Sequence, residues 1–80
     1  MASLFLKFQK ESDYKKAIGF FETESSFQIE DEHYEFHSLE FMVKDEEDAN
    51  FTERDIDNEL IGIGIEDYGF EFQERTEMPY

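Results

Sequence analysis

The stretch "DIDNELIGIGIE", residues 55–66, sets Asp55, Asp57, Glu59 and Glu66 at positions 1, 3, 5 and 12 of the oxygen-rich spacing with which an EF-hand loop encloses calcium. Position 6 of such a loop is a glycine that makes its sharp turn, and here it is Leu60. The same residues read well as a helix, so the helix is preferred. His33, Glu35 and His37 alternate along "HYEFH" and would share one face of a strand. Residues two apart on a strand stand about 6.6 Å from each other and no fourth ligand lies nearby, so convergence on one ion is awkward and no metal is expected. Paired carboxylates act as general acid and base only where a pocket separates their proton affinities. Among 22 acids such pairs arise by chance. The chain has no phosphate-cradling glycine loop and no nucleophile set beside a base. The expectation is a protein that is not an enzyme, with no catalytic residues and no cofactor.

The elements that position the acids follow from periodicity. In "SLFLKFQ" Leu4, Leu6 and Phe8 alternate and Phe5 adds apolar surface to the other face, which suits a central strand. Ser12 stands where a helix cap would, and Tyr14, Ala17, Ile18 and Phe21 form the stripe of an amphipathic helix ending near Glu24. "SFQIEDEHYEF" reads as a hairpin turning at Asp31-Glu32, with Ile29 opposite Tyr34 and Phe27 opposite Phe36. The apolar parity then shifts to Leu39, Phe41 and Val43, as a bulge near His37-Ser38 would produce. Thr52 as cap with Asp55, and Phe51 stapled to Ile56, predict a second helix that Gly62 terminates. Tyr68, Phe70 and Phe72 predict a last strand, and an alternative hairpin would pair them with Ile65, Ile63 and Ile61.

The order strand, helix, strand, strand, helix, strand is the ferredoxin-like βαββαβ pattern: an α+β fold whose four-stranded antiparallel sheet carries two helices on one face. The open face then receives Phe5, Lys7, Gln28, Glu30, His33, Glu35, His37, Glu40, Met42, Glu71 and Gln73. Eighty residues make one domain, 1–80, with 76–80 expected as a flexible tail. The ten Phe and four Tyr supply its core, and no Cys is available to staple it. No apolar run approaches the roughly 20 residues of a membrane span, and "MASLFLKFQK" lacks a basic segment before its apolar residues, so a cytoplasmic protein is expected.

The net charge is −15 and unevenly distributed: residues 1–20 hold four Lys against two acids, while residues 21–80 hold three bases against twenty acids. A small domain needs a net charge of only about 2 to 8 in magnitude for solubility, and self-repulsion grows beyond it. Adaptation to a salty cytoplasm would also tolerate such a surface, because salt screens it. A third explanation is imitation of a polynucleotide, since carboxylates carried on strands and helix turns can occupy the Lys- and Arg-lined channel that grips DNA.

In length, charge and compactness, and in the runs "EDEHYE" and "KDEEDANFTERDIDNE", the chain resembles the small acidic DNA-mimic inhibitors of phage and mobile elements, including anti-restriction and anti-CRISPR proteins. The resemblance implies an inhibitor that blocks the groove of a basic nucleic-acid-binding protein or complex, such as a nuclease, a restriction enzyme or a CRISPR effector. No direct binding of nucleic acid and no membrane are expected, with a monomer or homodimer in the host cytoplasm. The partner-binding acids would be Glu30, Asp31, Glu32 and Glu35 from the hairpin, Asp45, Glu46, Glu47 and Asp48 from a loop, and Asp55, Asp57 and Glu59 from the second helix. Glu66, Asp67 and Glu71 would extend them. The alternative is a small interaction or regulatory module, an antitoxin or subunit, whose acids serve mainly solubility or high-salt adaptation.

Overall fold

In β1, Ala2–Phe8, every second side chain from Ala2 to Phe8 is buried, because this strand runs through the middle of the sheet beneath the helices. The computed structural model describes residues 1–74, so the tail expected over 76–80 lies outside the described residues. The remaining elements are α1 (Glu11–Thr23), β2 (Asp31–His33), a 3₁₀ turn (Tyr34–Phe36), β3 (Ser38–Val43), α2 (Glu46–Gly62) and β4 (Tyr68–Glu74). The strands form one antiparallel sheet in the order β2-β3-β1-β4, which is the ferredoxin-like α+β arrangement. Leu4 and Leu6 of β1 stand opposite Phe41 and Leu39 of β3 and opposite Phe72 and Phe70 of β4, so one register fills one layer of core. Tyr14, Ala17 and Phe21 of α1 and Ala49, Ile56 and Leu60 of α2 close it from above. The alternation that predicts β1 and β4 and the stripe that predicts α1 are all present.

Four local expectations change. First, α1 begins at Glu11 with Lys10 as its cap residue, not at Ser12, because the chain turns into the helix directly after β1: the Lys10 carbonyl accepts from Tyr14 N at 3.1 Å. Second, the hairpin does not turn at Asp31-Glu32. Those residues are in β2, paired with Glu40 and Leu39, and the reversal falls at Tyr34–His37. A tight turn needs a residue that accepts positive φ, and His37 takes it at φ 50°. Phe27 and Ile29 therefore remain in the loop before β2, while Tyr34 and Phe36 are left 55% and 62% exposed; none of the four forms the predicted pairs. The turn itself accounts for the parity shift, without a bulge.

Third, α2 starts six residues before Thr52. Asp45 accepts from Asp48 N at 2.9 Å, and the Asp48 carboxylate accepts from Lys44 N at 2.9 Å, so two otherwise orphaned donors are satisfied by an acidic pair three residues apart. Acids in the first turn also suit the positive end of the helix dipole. Thr52 and Asp55 thus lie inside the helix, and Phe51 is 50% exposed and staples nothing. Fourth, α2 ends at Gly62 as expected, but the residue that takes the left-handed conformation to close it is Gly64, at φ 81°. Ile65 N donates to Leu60 O at 3.0 Å and Gly64 N to Ile61 O at 3.1 Å, the paired bonds of a Schellman ending, with Leu60 and Ile65 both buried. The alternative hairpin through Ile61, Ile63 and Ile65 is not formed.

Candidate anionic surface

The long acidic run is helical. Asp45–Asp48, expected in a loop, form the cap and first turn of α2, and α2 as a whole holds seven carboxylates against Arg54 alone. Its buried positions, Ala49, Ile56 and Leu60, anchor one stripe, so the remaining circumference faces outward. Glu46, Glu47, Asp55 and Asp57 are exposed and Asp48 and Glu53 are half-buried. Arg54 is occupied locally, 3.9 Å from Asp55 by its Nε and 5.3 Å from the centre of the Phe51 ring.

The other predicted acids lie on separate parts of the molecule. Glu30, Asp31 and Glu32 are exposed at the β2 edge, where with Glu22 they border a depression of about 620 Å³. Glu35 is exposed in the 3₁₀ turn between Tyr34 and Phe36. Glu66 and Asp67 are exposed in the α2–β4 connection, and Asp67 lies 3.7 Å from Lys10. Glu71 is exposed on the open face of the sheet, in register with Phe5. Glu59 points towards the α1–β2 loop: Oε1 accepts from Ser25 Oγ at 2.9 Å, and Oε2 is buried with no hydrogen-bond partner. Asp57 accepts from the Tyr68 hydroxyl. Burial, and then this bond to Asp57, push the Tyr68 hydroxyl far above the ordinary tyrosine range.

On the open face the structure builds a polar grouping that alternation alone does not reveal. Glu40 is only 5% exposed. Its carboxylate accepts from Ser3 Oγ at 2.7 Å and from His33 Nε2 at 3.0 Å, and Asp31 Oδ2 stands 3.9 Å from the same nitrogen. Asp31, His33 and Glu40 thereby bring one metal-capable atom each within 4.8 Å of one another. The grouping of His33 with Glu35 and His37 does not form, because Glu35 is in the turn and His37 lies beside Tyr14, with ring centres 5.8 Å apart. The signal for Glu40 was its place opposite Phe5 on the central strand. Its neighbours come from the two strands that flank β3, with Ser3 and Phe5 on β1 and Asp31 and His33 on β2.

A second set of contacts fixes α1 against the turn. Glu11 accepts from the Tyr34 hydroxyl at 3.0 Å and meets Lys15 at 3.0 Å, and the bond to Lys15 followed by that to Tyr34 holds its carboxyl below the usual range. Among the described residues no helix is long and apolar enough to cross a membrane. The molecule is thus a ferredoxin-like α+β domain with a strongly acidic second helix. Comparison of the chain with protein-family models, with curated proteins and with solved structures finds no match.

Proposed function

We propose that the protein is a non-catalytic inhibitor that lays α2 and its flanking acids into the nucleic-acid-binding groove of a basic protein. Such a target would be a nuclease, a restriction enzyme or a CRISPR effector, with the inhibitor acting in the host cytoplasm as a phage anti-defence factor. The observation that carries this reading is the linear charge of α2. Seventeen residues at 1.5 Å each extend about 25 Å; with Glu59 turned inward to Ser25, the other six carboxylates less one guanidinium place one net negative charge roughly every 5 Å. One strand of B-DNA carries a charge every ≈ 3.4 Å, so a groove lined for phosphates meets a density of the same order on the helix. The helix backbone and its buried stripe hold these charges in place before binding, which reduces the ordering cost that a disordered acidic segment would incur. Arg residues of the target would form the strongest pairs, as bidentate contacts to exposed Glu46, Glu47 and Asp55.

A second reading has its own support: Tyr34 and Phe36, both exposed on the hairpin turn, are the kind of aromatic anchors that serve an interaction module such as an antitoxin or regulatory subunit. Competition separates the two. A basic DNA- or RNA-handling protein bound by the inhibitor is titrated with duplex DNA across a salt series. The expected result is displacement by DNA and an affinity that falls steeply with salt. Binding that persists at high salt and ignores DNA contradicts the mimic and favours the aromatic module.

A further inference from the structure

We infer that the groove between α2 and the outer edge of β4 receives an extended basic segment of the target, which adds to the sheet as a fifth strand. This inference rests on the inhibitor reading above and names the part of the target that the molecule would hold. Among the described residues β4 is the last strand in the order β2-β3-β1-β4 and pairs only with β1. Every second one of its seven residues therefore turns its backbone N–H and C=O to the outer side, where among the described residues no strand pairs with them. Above that edge lies a groove of about 700 Å³. Glu53, Asp57 and Glu66 supply its charge, and Ile61, Tyr68 and Phe70 supply its apolar wall. Arg54 also borders it, occupied by Asp55 and Phe51.

The spacing fits one kind of occupant. A strand laid against β4 would send every second side chain towards the helix layer, about 6.6 Å apart. Glu53 and Asp57 are one helical step of four residues apart, about 6 Å along α2. Lys or Arg at alternate positions would therefore rise opposite successive carboxylates, with their aliphatic stems over Ile61 and Phe70. A second copy of the chain is a poor occupant: β4 carries Glu71 and Glu74, and antiparallel pairing of two such strands would crowd like charges together.

The test uses the full chain and a short peptide of alternating Arg and Thr, with a Glu and Thr peptide as control. Titration gives affinity, and amide hydrogen exchange reports the β4 backbone. The Arg peptide is expected to bind, the control not, and exchange is expected to slow across Tyr68–Glu74. Glu53→Gln with Glu66→Gln should weaken binding about tenfold, as loss of two favourable ion pairs allows. Glu22→Gln with Glu24→Gln, at the end of α1, should change it less than about twofold. Binding that leaves β4 exchange unchanged, equal losses from the two pairs of substitutions, or β4 protection that grows with protein concentration in the absence of peptide would each overturn the inference. The failures are distinguishable: a DNA-displaced target that leaves β4 unprotected removes the strand addition and keeps the mimic, whereas a target held along β4 that DNA does not displace removes the mimic and keeps the docking groove.

Discussion

The two helices cover the same sheet and bury the same number of side chains, three each, yet they present opposite electrostatic characters. α1 has three carboxylates and two Lys, and its start is tied down by ion pairs: Glu11 with Lys15 within the helix, and Lys10 with Asp67 across to the α2–β4 connection. Lys16 also donates to the Ile63 carbonyl at 2.7 Å, just beyond the end of α2. α2 has seven carboxylates and one Arg. Packing alone therefore does not require the charge of α2, since α1 does the same structural work while nearly neutral. The acids of α2 that have structural partners are Asp48 in the cap, Asp55 beside Arg54, Asp57 under Tyr68 and Glu59 at Ser25. Glu46, Glu47 and Asp55, all exposed, are those that a binding role would use.

Several measurements sharpen or break this contrast. The largest effect should come from the buried stripe. Ile56→Ala removes a fully buried side chain of α2 and is expected to cost about 2–5 kcal/mol, which in a domain of this size lowers Tm by roughly 10 °C or more in thermal unfolding. A loss below about 1 kcal/mol would mean that α2 is held by something other than this stripe. Next is the cap. Asp45→Ala is expected to cost about 1 kcal/mol, whereas Ser12→Ala, inside α1 and without a capping bond, should stay within about 0.5 kcal/mol. The reverse order would restore the helix starts that the sequence alone suggests.

Salt gives a third test. Screening the like charges of α2 should raise Tm as salt is added, and Glu46→Gln, Glu47→Gln and Asp55→Asn together should flatten that rise. The neutralised form of α1, Glu11→Gln with Asp13→Asn, should leave it nearly unchanged or steepen it. The smallest effect concerns the hydroxyl that Asp57 holds. The folded state raises the proton affinity of Tyr68 above the ordinary tyrosine value of 10.0. The resulting stability is complete below about pH 10 and is lost as pH rises through the alkaline range towards the folded-state value. Tyr68→Phe should accordingly flatten the alkaline fall in Tm and remove one late step from the tyrosinate titration. Tyr14, raised chiefly by burial and then by Glu32, retains its own late step in that variant.

Much of the fold is legible in the sequence where one periodic signal dominates. Leu4, Leu6 and Phe8 can satisfy only one strand face, and Tyr14, Ala17 and Phe21 only one helix face, so β1, α1 and the βαββαβ order follow. The hairpin turn and the start of α2 are less legible, because in each place two local solutions compete. Thr52 and Asp45 are both competent caps, and the selection of Asp45 depends on its partner Asp48 and on the chain leaving β3 at Val43. The turn depends on His37 accepting the left-handed conformation, which His takes more readily than most residues but not so uniquely that the sequence singles it out from Asp31. The candidate site is legible as composition but not as direction. Asp55 and Glu59 look equivalent in a string of acids, yet one faces solvent and the other is drawn in by Ser25, 34 residues away in the chain. Glu40 shows the same limit, since its contact with Ser3 spans 37 residues.

The claim that α2, rather than the net charge of the whole chain, engages the target is tested most directly by comparing charge-neutralised helices at equal loss of charge. Glu46→Gln, Glu47→Gln and Asp55→Asn in α2 and Glu11→Gln, Asp13→Asn and Glu22→Gln in α1 each remove three charges, and the affinity of each variant for a DNA-displaced basic target is measured across a salt series. The α2 variant is predicted to bind about tenfold or more weakly and with a shallower salt dependence, while the α1 variant stays within about twofold of the unmodified protein. Equal weakening by the two variants would show that the charge acts only as a sum, and would contradict the account.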